Sequence, residues 1–63
     1  MYWINKKVTI NKTIASEVIG ITRPHLTNIL NGKIGCTKPV AFCITKYLDS
    51  EAEIEDYFTK KGE

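Results

Sequence analysis

The stretch that decides the fold is IASEVIGITRPHLTNILNGK, residues 14–33. Its apolar positions have the spacing of two short helices separated by a glycine. The first helix carries one apolar stripe, formed by Ile14, Ala15, Val18 and Ile19. Thr9 or Asn11 can cap the start of this helix, and Gly20 stands where a left-handed residue ends one. Residues 14–20 therefore predict a short amphipathic helix with a defined end.

A second helix follows almost at once. Only Ile21 separates Gly20 from Thr22, which is a good N-cap. The helix it caps carries three apolar residues on one face, Leu26, Ile29 and Leu30. Two helices joined by a short turn with Gly form a helix-turn-helix unit, in which Ile21 fills the angle between the helices and the small Ala15 allows their close approach. The second helix is then exposed, and it is narrow enough for a DNA major groove about 12 Å wide.

The rest of the chain predicts two further helices. The first begins after Thr37, tolerates Pro39 in its opening turn, and has an inner stripe of Ala41, Ile44 and Leu48. Ser50-Glu51-Ala52-Glu53 has the form of a capping box. It predicts the start of a short last helix with Ile54, Tyr57 and Phe58 on one side. We expect residues 60–63 to fray.

The N-terminal segment fits two structures. Tyr2, Ile4, Val8 and Ile10 alternate as in a strand, yet Ile4 and Val8 also share one helical face. Residues 2–10 are thus either a truncated first helix or an extended arm. With either, we predict an all-α fold of four to five helices, compact and built as one domain over residues 1–63.

Size and composition argue against several classes of protein. The 63 residues allow one small core and leave little room for a deep catalytic pocket. The lone His25 has no nucleophile or carboxylate partner at a recognisable spacing, so we expect no catalytic residue, no enzyme activity and no cofactor. Cys36 and Cys43, without a Cys-x-x-Cys pair, do not supply a zinc site, and we expect no metal. No apolar run approaches the ~20 residues of a membrane span and no signal peptide is apparent, so we expect a cytoplasmic protein with no membrane partner.

The charges divide unevenly along the chain. Residues 1–33 carry five Lys and Arg against one Glu, a net charge of +4, whereas residues 34–63 carry four Lys against six Asp and Glu, a net charge of −2. This asymmetry suits a protein that presents one end to a polyanion.

The motif now points to a family. Residues 14–33 resemble the lambda-repressor/Cro-like (XRE-type) helix-turn-helix DNA-binding domains, and the run from Arg23-Pro24 to Asn31-Gly32-Lys33 is similar to antitoxins and small phage regulators of that family. The resemblance covers residues 12–58 and departs at the front, where the family usually has a longer first helix. It implies a sequence-specific transcriptional regulator, such as a repressor, that binds the major groove of double-stranded DNA at a palindromic operator.

The resemblance and the side-chain chemistry together predict two sets of DNA contacts. The base-contacting set is Thr22, Arg23, Pro24, His25, Thr27 and Asn28; His25 is included for its place near the helix N-terminus. The phosphate-contacting set is Lys12, Asn31, Lys33 and Lys38. Arg23 can donate two hydrogen bonds to guanine, and Asn28 can pair in the same way with adenine. The alternative is that these are ordinary exposed polar residues, that Asn31-Gly32 only stops a helix, and that Lys6, Lys7, Lys60 and Lys61 serve solubility.

A surplus of apolar residues remains on the third helix. Phe42 and Cys43 lie outside its inner stripe and Tyr47 flanks it, which predicts a homodimer interface formed by Phe42, Cys43 and Tyr47. The alternative is that the N-terminal segment, with Tyr2 and Trp3, folds over this helix.

Two other functions are compatible with the pattern. One is a protein-interaction module that uses the same fold to hold a toxin or another phage or host protein. The other is an architectural DNA binder of the excisionase type. Polar residues on the exposed face of residues 22–30 favour the regulator, because an interaction module is expected to expose apolar ones there.

Overall fold

The computed structural model of the chain describes residues 1–61. Its elements are β1 Tyr2–Ile4, α1 Lys12–Ile19, α2 Arg23–Leu30, α3 Lys38–Leu48, α4 Ile54–Tyr57 and β2 Phe58–Lys60. About half of this part of the chain is helical, and none of these four helices is long and apolar enough to cross a bilayer. Residues 62 and 63, the end of the segment predicted to fray, lie outside the described residues.

A two-stranded sheet joins the two ends of the described chain and corrects the prediction of an all-α fold. β1 pairs with β2 in antiparallel orientation, with Trp3 opposite Thr59 in the middle of the register. On the other edge of β1, Tyr2 and Cys36 exchange two backbone hydrogen bonds of 2.8 Å each. The N-terminal segment is therefore extended, not a truncated helix. Lys60, which we expected to fray, is the last residue of β2. The partners of β1 come from distant parts of the chain, which local sequence patterns do not report.

The turn between α1 and α2 has the geometry that the sequence predicts. Gly20 has a φ of +90°, and its N–H donates a hydrogen bond of 2.8 Å to the carbonyl of Ser16. The amide of Ile21 donates to the same carbonyl at 3.1 Å. Thr22 then caps α2, because its Oγ1 accepts a hydrogen bond of 3.3 Å from the amide of His25. The chain therefore passes from one helix to the next through three residues, Gly20 to Thr22.

Helix α1 starts as predicted but turns a different side to the core. Asn11 is its cap, since Asn11 Oδ1 accepts a hydrogen bond of 3.1 Å from the amide of Ile14. Ala15 and Ser16 are buried, whereas Ile14 and Val18 are 53% and 66% exposed. Both α2 and α3 pack against α1, and small side chains allow two helices to approach the same segment. The predicted stripe was therefore wrong at Ile14 and Val18.

Helices α2 and α3 bury the apolar faces that the sequence predicts. In α2 the buried residues are Leu26, Ile29 and Leu30. Helix α3 begins directly after Thr37, with Ala41 and Ile44 fully buried and Leu48 partly buried. These side chains, together with Phe58, form most of one core cluster. At about 25 cal/mol per Å² of apolar surface, burial of each large side chain contributes about 1.5–3 kcal/mol.

The last helix begins later than predicted. Glu53, not Ser50, is the residue before α4, and its amide donates a hydrogen bond of 2.9 Å to Asp56 Oδ2. Tyr57 ends the helix, and Phe58, predicted to lie on it, is instead the first residue of β2 and only 2% exposed. Pairing with β1 and burial in the core decide the conformation of Phe58, and neither is a local property of residues 50–58.

The left-handed conformation of Gly20 gives a testable prediction. A Cβ at this position would meet nothing within 4 Å, so the cost of Gly20→Ala comes from the backbone alone. We expect Gly20→Ala to lower the free energy of unfolding by roughly 1–2 kcal/mol and Gly20→Asn to lower it by less, because Asn tolerates this region. Urea denaturation followed by circular dichroism measures both. Two variants as stable as the parent chain would contradict the role of this turn.

Candidate nucleic-acid interface

Helix α2 presents one side to solvent, and the predicted base-contacting residues lie on it. At about 100° per residue, Pro24 and Asn28 point away from the three buried residues, while Arg23 and His25 lie on the two flanks. Thr22 to His25 are exposed, whereas Thr27 and Asn28 are half-buried. The most accessible part of α2 is thus its first turn.

Arg23 leans towards helix α1. Its Nη1 donates a hydrogen bond of 3.1 Å to Oγ1 of Thr13, the second residue of α1. This bond uses one of the five N–H donors of the guanidinium. The side chain is therefore held at the α1 flank of the interface, in a position from which its other donors can reach outward.

Thr22 has a structural role in addition to the contact predicted for it. Its Oγ1 caps α2 by accepting from the amide of His25. A hydroxyl that accepts can still donate its own proton. Pro24, in the first turn, has no amide hydrogen to leave unpaired, so the sequence Thr22-Arg23-Pro24 stabilises the start of α2.

The four predicted phosphate-contacting residues are distributed around the ends of the helices. Lys12 is the half-buried first residue of α1, Asn31 ends α2, and Lys38 is the exposed first residue of α3. Lys33 is exposed in the loop after α2, where its amide donates a hydrogen bond of 2.9 Å to the carbonyl of Asn28. Asn31 and Lys33 therefore lie together at the C-terminal end of α2. Lys12 and Lys38 lie elsewhere, at the starts of α1 and α3.

A cleft of about 410 Å³ with polar and apolar lining lies beside the C-terminal end of α2. Asn31 and Gly32 line it together with Lys6 and Lys7, which follow β1. The sequence interpretation assigned both lysines to solubility, and no local pattern places them near α2. Lys6 also makes a cation–π contact, because its Nζ lies 4.8 Å from the centre of the Tyr57 ring. The fold therefore places two further cations, Lys6 and Lys7, beside the C-terminal end of α2.

A second cleft, of about 470 Å³, lies on the His25 side of α2; we call it the Trp3 cleft. Trp3, His25, Lys33, Cys36 and Val40 are among the residues that line it. It places the indole of β1 next to two residues of the predicted interface. Sequence reasoning treated Trp3 only as surplus apolar surface, since nothing local connects residue 3 with residues 25 and 33.

The thiol of Cys36 is buried beneath this cleft. Burial raises the pKa of Cys36 to about 11, an effect partly opposed by the N-terminal ammonium group. The thiol is therefore neutral at physiological pH and adds no negative charge to the cleft. Cys43, in contrast, is exposed on α3.

The predicted dimer residues lie together in a groove between α1 and α3, which we call the α1–α3 groove. Its volume is about 470 Å³, and it is lined by Val18, Ile19, Phe42, Cys43, Lys46 and Tyr47. Phe42 is 49% exposed and Val18 66%. The alternative, in which Tyr2 and Trp3 cover this surface, does not fit the fold, because β1 pairs with Cys36 and β2. Val18, expected in the core, instead extends the exposed apolar surface.

No group of three or more His, Cys, Asp or Glu within residues 1–61 could hold a metal ion. Compared with known proteins, the chain matches no protein-family model, no curated protein and no solved structure. Membership of the lambda-repressor/Cro-like family therefore stays a prediction from residues 12–58.

The two cysteines are expected to react at very different rates. With a pKa of about 11, about one Cys36 thiol in a thousand is ionised at pH 8, and only the thiolate is nucleophilic. We expect iodoacetamide at pH 8 to modify Cys43 in the folded protein and to modify Cys36 only after denaturation in urea. Mass spectrometry of peptides measures both rates. Equal rates in the folded protein would show that Cys36 is accessible and ionised.

Proposed function

We propose that the chain is a sequence-specific DNA-binding transcriptional regulator of the lambda-repressor/Cro-like type, and that α2 is its recognition helix. The observation that carries the proposal is the division of α2 into two sides. Its apolar residues are all buried, and its first turn exposes Arg23 and His25 directly after a left-handed glycine turn. Such an element offers hydrogen-bonding groups and little apolar surface, which suits base edges better than an apolar protein partner.

The dimensions of α2 suit a major groove. Eight residues at 1.5 Å each give a helix of about 12 Å, and a helix is about 10–12 Å wide with its side chains. The groove of B-DNA is about 12 Å wide and about 8.5 Å deep. In this arrangement Arg23 donates to guanine, Asn28 pairs with adenine, and the methyl group of Thr27 contacts thymine. His25 and Pro24 complete the base-facing surface.

The charge distribution supports the same orientation. Residues 1–33, with a net charge of +4, include α1 and α2. The carboxylates Glu53, Glu55 and Asp56 are exposed at α4, which packs against α3 and β2, whereas α2 packs against α1 and β1. Lys12, Arg23 and Lys33 therefore lie on or directly after α1 and α2, and most carboxylates lie on other elements. Phosphate contacts by Lys12, Asn31, Lys33 and Lys38 would fix the orientation of α2 on the duplex.

We further propose that the regulator acts in the cytoplasm as a homodimer on a palindromic operator, with the α1–α3 groove as its interface. A reader of two half-sites needs two copies, and a two-fold interface uses the same surface on each. Phe42, Cys43 and Tyr47 supply that surface together with Val18.

Two substitutions should weaken DNA binding in different ways. Selection from a random duplex pool supplies the specific site, and a scrambled duplex is the reference. Arg23→Ala should cost about 1–3 kcal/mol on the specific site and relax selectivity at one base pair. Lys33→Ala should weaken both duplexes alike and reduce the slope of log K against log salt by about one. Titrations at several salt concentrations measure affinity and slope together.

Arg23→Lys is the matched control, because it keeps the charge but removes the planar pair of donors. It should lose selectivity while the salt slope stays unchanged. The parent protein, neutralising about five phosphates, should show a slope of roughly −4 to −5. If no duplex is selected, or if the slope is flat, a protein-interaction module becomes the better proposal, and the exposed Ile14, Val18 and Phe42 would be its docking surface.

The dimer has its own test. Val18→Asp should raise the dimer dissociation constant by at least tenfold, because a charge buried in an apolar interface costs more than ~1.4 kcal/mol. Val18 is 66% exposed, so the fold should survive. Ser50→Asp, which adds the same charge at an exposed position after α3 and outside the groove, should have no effect. Sedimentation equilibrium with and without DNA measures this. Identical constants for both variants would exclude the α1–α3 groove as the interface.

A further inference from the structure

Trp3 is held in place by its strand but faces away from the core. β1 is paired on both edges, with β2 on one side and Cys36 on the other. Tyr2 and Ile4 pack against the core cluster. Because side chains alternate along a strand, Trp3 points to the opposite face. The largest side chain of the chain is therefore presented, half-buried, at the Trp3 cleft.

Gly35 forms the floor on which the indole lies. A Cβ at residue 35 would come within 2.9 Å of Trp3 Cε2 and 3.0 Å of Nε1. A Cβ essentially never approaches another side chain this closely, so a side chain at this position would displace the ring. The absence of a side chain at Gly35 allows the indole to lie close to the loop that carries Lys33.

The chemistry of the cleft specifies what it can hold. Its walls are apolar, formed by Trp3, Ile34 and Val40, with the neutral Cys36 thiol beneath them. Lys33 lines the cleft, and none of the described residues that line it carries a carboxylate. An occupant that matches these walls combines a C–H-rich face with an anionic group. A deoxyribose, whose ring has an apolar C–H face, and its phosphate have this combination.

The position of the cleft beside α2 indicates that this deoxyribose and phosphate belong to a DNA strand. His25 belongs both to α2 and to the lining of the cleft. When a helix lies in a major groove, the two strands that border the groove run along its flanks. A strand on the His25 flank of α2 therefore passes over the cleft.

From these observations, and resting on the proposed function, we propose that the Trp3 cleft seats one deoxyribose-phosphate of the bound duplex. Trp3 packs on the sugar ring, and Lys33 pairs with the phosphate. Trp3 is then a DNA-contacting residue that positions the strand and carries no sequence information.

The protein contains one tryptophan and three tyrosines, so fluorescence excited at wavelengths that the tyrosines do not absorb reports on this cleft alone. We expect the selected duplex to reduce the acrylamide quenching constant of Trp3 at least twofold. Free 2-deoxyribose 5-phosphate at the same phosphate concentration should leave it unchanged. Equal protection by the free sugar phosphate would make the cleft a small-molecule site and overturn the proposal.

Trp3→Leu supplies the second measurement. It should weaken the specific and the scrambled duplex alike by about tenfold, which corresponds to ~1.4 kcal/mol of lost apolar contact with the indole. Because the indole is uncharged, the salt slope should not change, in contrast to Lys33→Ala. Thr59→Ala, at the position opposite Trp3 on β2, is the control for disturbance of the sheet and should bind as the parent does.

The outcomes separate this proposal from the one it rests on. If DNA binds and the quenching of Trp3 is unchanged, the proposed occupant of the Trp3 cleft is wrong, whatever the effect of Trp3→Leu. The proposal that α2 is the recognition helix would then still stand. Absence of any bound duplex would overturn both. Protection of Trp3 together with an equal loss of affinity on both duplexes would support the cleft.

Discussion

The left-handed residue at Gly20 is the constraint on which the arrangement of the helices depends. The carbonyl of Ser16 accepts from two successive amides, those of Gly20 and Ile21. This closes α1 and directs the chain into α2 after only three residues. The orientation of α2 follows, and with it the burial of Leu26 and Leu30. A different turn would change which side of α2 faces solvent and hence which residues are available to a ligand.

The two ends of the chain hold the other side of α2. The pairing of Tyr2 with Cys36 fixes the loop after α2, and β2 supports β1 from its second edge. The amide of Lys61 also donates a hydrogen bond of 2.9 Å to the carbonyl of Met1. In a chain this short the core is small, so backbone pairing between distant segments contributes to holding Lys33 and Trp3 beside α2.

Small residues at the centre of α1 explain the surface of the molecule. Because Ala15 and Ser16 face α2 and α3, the larger Ile14 and Val18 remain outside. Val18 then joins Phe42 in the α1–α3 groove. The α1–α3 groove and the first turn of α2 share no residue, so self-association and DNA reading need not compete for the same side chains.

The sequence by itself determined the helix-turn-helix unit. Asn11, Gly20 and Thr22 act through hydrogen bonds and backbone conformations that extend over at most four residues, so their roles could be predicted from neighbouring letters alone. The buried face of α2 and the start of α3 after Thr37 were predicted for the same reason, since a 3.6-residue period is a local property.

Only the tertiary structure decided the strands, the inner side of α1 and the clefts. β1 forms because residues 36 and 58–60 pair with it. Phe58 belongs to β2 and not to α4 because it pairs with β1. Val18 is exposed because the smaller Ala15 and Ser16 are the residues of α1 that face α2 and α3. Trp3 and Lys7 come near α2 through the same long-range pairing. Each of these outcomes is set by contacts between segments far apart in the chain, and no local periodicity or capping preference encodes them.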